Sequence, residues 1–279
     1  MYSKLVALLS LALVCASSAV PLANKDSQRL VKRIDAGSVF NSQGFDYIVY
    51  ISLGNLPGDI RGCTGVLISS RHVLTQEKCL GLDPVSNDTN YKNLTVVISH
   101  TDVNNKRTSY NALVSNVYLS SQFSNKGYST DIALLRLNAV VPASLASPVK
   151  IYAGDFKIST PAMLVGYATV GAPNSTTLMT QMRYENVNFQ NSQYCLGANQ
   201  YFDQNTEMCS QATSGLNSCN GDLGAPILVP VDNSGKSNSS NTSSGNPSLN
   251  TYALLALTSS SYSLLADPQL SCVYTGSTG

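Results

Sequence analysis

The cysteines and histidines of this chain could bind a metal ion or form disulfides, and their spacing favours one use over the other. Apart from Cys15, which directly follows an apolar N-terminal run, the cysteines are Cys63, Cys79, Cys195, Cys209, Cys219 and Cys272. No two of them form a CxxC pair, and neither His72 nor His100 lies at ligand spacing from a cysteine. Because zinc sites need such ligand clusters, we expect no metal ion and no cofactor. An even number of cysteines favours three disulfides in an exported protein, although spacing alone leaves their pairing open.

Four short motifs follow one another along the chain. They are RIDAG at 33–37, CTGVLISSRHVLTQEKC at 63–79, DIALLRL at 131–137 and SCNGDLGAP at 218–226. In this order and at these spacings they resemble the chymotrypsin/trypsin family of serine proteases, over residues 34–275. The resemblance implies an all-β fold of two packed antiparallel six-stranded β-barrels with a cleft between them, here without the family's C-terminal helix.

The resemblance also assigns the three catalytic positions. Acyl transfer in this family needs a serine oxygen as nucleophile, an imidazole as base and a carboxylate that orients the imidazole. Asp131 matches the carboxylate, but Lys78 replaces the histidine and Leu223 replaces the serine. A hydrocarbon side chain has no lone pair, and an ammonium group with an ordinary pKa of about 10.4 keeps its proton at neutral pH. Lys78 and Leu223 are therefore degenerate positions, and an ion pair between Lys78 and Asp131 is more expected than catalysis.

Further family positions fall on residues outside this triad. They are Ile34 and Asp222 for the activation ion pair, Gly221 and Leu223 for the oxyanion-binding turn, and Asn217, Ser259 and Ser261 for the specificity pocket. The disulfides implied by the resemblance join Cys63 to Cys79, Cys195 to Cys209 and Cys219 to Cys272. Since Asn217 carries no carboxylate, the pocket is not expected to recruit a lysine or arginine side chain.

The N-terminal residues predict export. Lys4, an apolar run at 5–14 and small residues up to Ala19 are typical of a signal peptide over 1–19. Residues 20–33 are polar and end in LVKR, which predicts a propeptide cleaved before Ile34. Five Asn-x-Ser/Thr sequons are compatible with a secreted, extracellular glycoprotein. They begin at Asn87, Asn93, Asn174, Asn238 and Asn241.

We expect the mature chain, residues 34–279, to form one trypsin-like domain. Its first barrel is predicted over 34–150 and its second over 151–279. Short runs such as YIVYISL, LTVVIS, AMLVGYATV and PILVPV alternate with Gly, Asn, Ser and Pro clusters. They lack a 3.6-residue period, which indicates strands and little helix. Residues 233–250 are almost wholly Ser, Asn, Gly and Thr, and predict a mobile surface loop.

The near-neutral net charge of the chain indicates which classes of partner to expect. With 17 Lys and Arg against 16 Asp and Glu and no dense basic run, the chain is not expected to bind nucleic acid or a membrane. The leading hypothesis is a secreted pseudoprotease that binds or inhibits an extracellular protein, such as a protease or a glycosidase. Family members that lack a complete triad include insect cofactors and oomycete inhibitors of plant glucanases.

Two other functions stay open at the level of sequence, as does the oligomeric state. One is a serine endopeptidase with an atypical site, in which Ser218 or a serine among 259–261 attacks with Lys78 as the base. The other is a degraded paralogue that has no binding partner. Labelling with a fluorophosphonate separates the first of these from a pseudoprotease, because only an activated serine reacts.

Overall fold

Strands dominate the computed structural model of the chain. It describes residues 38–39, 44–53, 62–80, 94–101, 107–120, 130–170, 179–198, 200–212, 223–231, 251–260 and 270–276. They belong to one compact unit that spans residues 31–279. The predicted all-β fold of two six-stranded barrels is confirmed, and the two helices of the described residues are short.

The first barrel is a closed ring of six antiparallel strands in the order β2-β3-β4-β7-β6-β5. Its strands are β2 (Ile48–Ser52), β3 (Gly62–Ser69), β4 (His72–Thr75), β5 (Thr95–Thr101), β6 (Arg107–Leu119) and β7 (Ala133–Leu137). Residues alternate between the two faces of a strand, so β7 buries Ala133, Leu135 and Leu137 and exposes Arg136. Helix α1 (Glu77–Leu80) follows β4 and carries Cys79, whose disulfide to Cys63 on β3 lies in the core of this barrel.

The second barrel is also a ring of six strands, closed by the pairing of β9 with both β10 and β12. Its strands are β9 (Ala162–Val170), β10 (Met179–Phe189), β11 (Glu207–Ala212), β12 (Pro226–Val231), β13 (Thr251–Ser260) and β14 (Leu270–Gly276). Two short strands extend it, with β1 (Ser38–Val39) on β10 and β8 (Lys150–Ile151) parallel to β13. Helix α2 (Ser192–Ala198) is joined to β11 by the Cys195–Cys209 disulfide.

The two barrels meet along an apolar interface, hereafter the seam. On β9, Ala162 and Leu164 point into the second barrel, whereas Met163, Val165 and Tyr167 lie in the seam with Ile48 and Val66 of the first barrel. The Tyr167 amide donates to Thr64 Oγ1 at 3.0 Å, and the Tyr167 hydroxyl donates to the Ile48 carbonyl at 3.3 Å. Strands buried on both faces read as continuous apolar runs, which explains the AMLVGY and PILVPV segments.

The last element described is β14, and the expectation that the C-terminal helix is missing concerns residues outside the described part of the chain. None of the helices found within that part is long and apolar enough to cross a membrane.

Candidate functional site

Asp131 has no exposed surface and is bonded by residues of both barrels. It precedes β7, and three donors converge on its carboxylate. The Lys78 backbone amide donates to Oδ1 at 2.8 Å, while the Ser259 hydroxyl and the Gln76 amide Nε2 donate to Oδ2 at 2.8 and 2.5 Å. Burial raises the pKa of Asp131 above 3.8, and these three bonds, with the weaker attraction of the Lys78 charge, act in the opposite direction.

Gln76 is the residue that joins this carboxylate to the other barrel. Its side chain comes from the turn between β4 and α1, is fully buried, and donates through Nε2 to the Ser259 backbone carbonyl as well as to Asp131. Ser259 lies on β13 of the second barrel. One amide group therefore bridges both barrels and fills the space beside Oδ2.

Lys78 contacts Asp131 through its backbone. Its backbone amide bonds Asp131, but its side chain is exposed while the carboxylate is buried. Among the effects on the pKa of Asp131, the attraction of the Lys78 charge is the smallest. The ion pair between Lys78 and Asp131 therefore stays a prediction. The side chains that are bonded to Oδ2 are those of Gln76 and Ser259.

At the nucleophile position, Leu223 is half-buried and packs against the apolar core of the first barrel. Its carbonyl accepts a hydrogen bond from the Thr64 amide at 3.0 Å, across the seam. The following residue, Gly224, has φ +78°, and a Cβ atom there would lie 2.4 Å from the Thr64 carbonyl oxygen and would also overlap Thr75. Only glycine fits this turn, so the backbone at the nucleophile position is tightly fixed although its side chain is hydrocarbon.

Two further buried carboxyl groups, those of Glu77 and Glu207, have raised pKa values. Glu77 has no exposed surface, and its Oε2 accepts from the Ser120 amide at 3.1 Å. Burial is the main cause that raises the pKa of Glu77 to about 7, and the Asp131 charge adds to it. Glu207 on β11 accepts from the Asp203 amide at 2.9 Å, and burial raises its pKa to about 7, again with a contribution from Asp131.

The structure also bears on the serines that a protease would need. Ser259 is fully buried and donates its hydroxyl proton to Asp131, so no substrate can reach it in this conformation. Ser218 and Ser261 lie outside the described residues, as does the side chain of Ser260. His72 on β4 is engaged with Ser69, whose Oγ lies 2.7 Å from Nδ1, and it does not match a position of the triad.

The structure brings together Asp131, Lys78, Leu223 and Ser259 of the predicted site. The Cys63–Cys79 and Cys195–Cys209 disulfides are both formed, with Cα atoms 6.0 and 5.9 Å apart. The remaining predicted positions are not among the residues whose side chains the structure describes. They are Ile34, Asn217, Cys219, Gly221, Asp222, Ser261, Cys272 and the sequon residues Asn87, Asn93, Asn174, Asn238 and Asn241. Within the described residues, no group of three or more His, Cys, Asp or Glu side chains is placed to hold a metal ion.

Gln76 and Glu77 are site residues that the sequence reasoning missed. They occupy the two positions before Lys78, where the motif LTAAHC of the resembled family has two alanines. The signal in the sequence was two polar side chains where that motif has two methyl groups, because a polar side chain at a packed position usually needs a hydrogen-bond partner.

Comparison with known proteins agrees with this geometry. The sequence model of the family described as trypsin matches residues 34–256. "Glucanase inhibitor protein 4" of Phytophthora infestans is 31% identical over 169 residues, which are 60% of this chain and 61% of that protein. The chain thus aligns with about three fifths of that relative's length. The solved structure of neuropsin, a serine protease expressed in the limbic system of mouse brain, is similar in fold, with a TM-score of 0.61 over 86% of this chain and 93% of that chain at 18% identity.

Proposed function

The chain belongs to the trypsin family, and on that premise we propose that it is a secreted, non-catalytic member that acts by binding another extracellular protein. The observation that carries the proposal is the packing of Leu223 against the first barrel, at the position from which a serine would attack. Hydrocarbon there provides neither a lone pair nor an acyl acceptor. The carboxylate that would orient a histidine is instead bonded to Gln76 and Ser259.

We further propose that residues 1–19 are a signal peptide, that residues 20–33 are a propeptide, and that the mature protein begins at Ile34. The start of the family match at residue 34 supports this boundary. The new Ile34 amino group would pair with Asp222 and order the neighbouring loops. Mass spectrometry of protein collected from the medium of a secreting host tests this, and a mature N-terminus at any other residue contradicts it.

As the partner we propose a secreted glycosidase of the glucanase class. The name of the Phytophthora relative supports this choice, and the near-neutral charge of the chain favours a protein over a polyanion. The test is surface plasmon resonance of the full, processed chain against a panel of purified glucanases, with secreted proteases as a comparison group. Saturable binding to a glucanase, with reduced hydrolysis of its glucan, supports the proposal. Binding confined to proteases, or no binding in either group, contradicts the choice of partner.

The absence of catalysis is tested separately. Purified protein is treated with a fluorophosphonate probe and assayed with a broad peptide library, alongside an active trypsin. We expect no labelled serine and no turnover above buffer. Labelling that disappears in Lys78→Ala contradicts a non-catalytic role and favours the serine endopeptidase with Lys78 as base.

A further inference from the structure

Residues 153–159 lie between β8 and β9, and every one of them is exposed. Hereafter they are the exposed turn. Three of the eight large hydrophobic side chains that are exposed in the described part of the chain lie in this turn or next to it. They are Ile151, Phe156 and Ile158, which are 53%, 37% and 52% exposed. Single exposed apolar side chains are common on protein surfaces, but such a concentration in one short segment indicates an interaction site.

Tyr152 fixes the N-terminal end of the exposed turn to the second barrel. Its amide donates to the Leu254 carbonyl on β13 at 2.8 Å, and its side chain packs against the core of that barrel. Its hydroxyl donates to the Asp155 carbonyl at 3.2 Å, within the turn itself. The chain therefore leaves the barrel at a defined point.

Thr160, which is buried, fixes the C-terminal end. The Lys157 amide donates to Thr160 Oγ1 at 3.1 Å, and the Thr160 amide donates to the Lys157 carbonyl at 2.8 Å, which closes a tight turn over Ile158. The Phe156 ring packs edge-on against Phe189 of β10, with the ring centroids 4.8 Å apart. Because the turn is held in one conformation before binding, it loses less entropy when a partner covers it.

The shape and charge of this region indicate what kind of surface it fits. Lys150 and Lys157 are both exposed, and Asp155 is the only acidic residue within 150–159. An exposed turn fits a concave surface, and the substrate cleft of a glycosidase is concave and carries a pair of carboxyl groups. An apolar side chain next to a lysine therefore matches such a cleft in both shape and charge.

We propose that the exposed turn is the surface that binds the glycosidase partner, with Ile158 inserted into the substrate cleft and Lys157 beside the carboxyl groups of that cleft. This inference rests on the proposed function and adds to it the place of contact. A turn inserted there excludes the glucan chain from the cleft. Inhibition then requires no chemistry from this protein.

The test is surface plasmon resonance of the full, processed chain against the glucanase that the parent protein binds most tightly. Ile158→Asp places a charge at the centre of the contact and should raise the Kd about thirtyfold or more, as at a binding hot spot. Val140→Asp is the matched control, because Val140 is 49% exposed and follows β7 of the first barrel. It should change the Kd by about twofold or less. Equal effects of the two variants, or none at Ile158, overturn the proposal.

Two further variants separate the charge of the turn from its rigidity. Lys157→Glu should slow association with the glucanase, and most strongly at low salt. Thr160→Val removes the hydroxyl that holds the turn but changes no exposed side chain, so dissociation should become about 2–10-fold faster. Unchanged association of Lys157→Glu, or unchanged dissociation of Thr160→Val, contradicts a preformed turn in an acidic cleft.

A competition experiment tests the location of the contact without any variant. A non-hydrolysable oligosaccharide analogue of the glucan occupies the cleft and should displace the parent protein from the glucanase. Unchanged binding in its presence overturns insertion into the cleft. If the parent protein binds no glucanase, the proposed function itself fails, whereas normal binding by Ile158→Asp overturns this inference alone.

Discussion

The positions that match the family's carboxylate and nucleophile, Asp131 and Leu223, are held in place in different ways. On the carboxylate side, Asp131 is still buried and is bonded by the Ser259 hydroxyl and the Lys78 amide. On the nucleophile side, the side chain is the hydrocarbon of Leu223, while the glycine turn that follows it is tightly constrained. Polar side chains thus fix the carboxylate side, whereas on the nucleophile side it is the backbone turn that is fixed.

Burial explains the difference. Leaving a buried carboxylate without donors costs several kcal/mol, about the size of a large mutational effect, so its partners must be kept or replaced together. Gln76 is one such partner, since it donates to the same Oδ2 as Ser259. The partly exposed side chain of Leu223 has no polar group that needs a partner, and it packs against the first barrel.

The largest expected effect is on the backbone of the nucleophile side. Gly224→Ala would force an alanine into φ +78° and drive its Cβ into the Thr64 carbonyl and the Thr75 hydroxyl. We expect a loss of about 2–5 kcal/mol in the free energy of unfolding, measured in urea by far-ultraviolet circular dichroism. Gly197→Ala in α2 is the control, because its new Cβ would meet nothing within 4 Å and should leave stability unchanged or slightly higher. Equal effects at both sites would contradict a fixed turn.

The next largest effect is expected from removing a donor to the carboxylate. Two variants compare the roles of the Gln76 and Lys78 side chains. Gln76→Leu keeps most of the side-chain volume but removes the donor to Asp131 and Ser259. We expect a loss of about 1–3 kcal/mol in the free energy of unfolding. Lys78→Ala keeps its backbone bond to Asp131 and should change stability by about 0.5 kcal/mol or less. The reverse order of the two variants would assign the supporting role to the lysine side chain.

Leu223→Ser tests the hydrocarbon of the nucleophile side. It removes an apolar side chain that is half-buried against the first barrel, so we expect a loss of about 1–2 kcal/mol. No turnover should appear with it, because Asp131 is occupied and no imidazole is supplied at residue 78. Leu223→Met is the control that retains apolar volume. Peptidase activity in the serine variant would show that the site still holds a working base.

The smallest expected effect on stability comes from a change at Thr130, the residue before Asp131. Thr130 has φ 55°, a conformation that is unfavourable for a β-branched residue. Thr130→Asn keeps a polar side chain and tolerates this region better, so the protein should gain about 0.5–1 kcal/mol, seen as a rise in the melting temperature. Thr108→Asn, at an exposed position on β6, controls for a general effect of asparagine. A fall in the melting temperature of Thr130→Asn would show that the threonine side chain is needed at the carboxylate.

The sequence predicted those features of the fold that depend on local pattern. The apolar runs that were assigned to strands lie in β2, β3, β5, β6, β7, β9, β12 and β13. Strand β10 has no such run, because it buries Val187 and Phe189 on one face and exposes Asn186 and Asn188 on the other. Its polar alternation was not recognised as a strand.

At the site, the sequence identified the positions but not their contacts. The match of Asp131, Lys78 and Leu223 to family motifs rested on short local segments. The bond from Gln76 to Ser259 joins residues 183 positions apart, and no local pattern reports such a contact. The same holds for Glu77 and Glu207, whose raised pKa values come from burial by distant parts of the chain.

That 183-residue separation also affects how the protein is made. The first barrel is complete once β7 has been synthesised, whereas Ser259 follows the end of β7 by about 6–24 s at ordinary elongation rates of about 5–20 residues per second. During this interval Asp131 faces water rather than its eventual partners, and the apolar rim of the nascent barrel is uncovered. We therefore expect an intermediate in which the first barrel has folded before the second is complete, with a lifetime set by the rate of elongation.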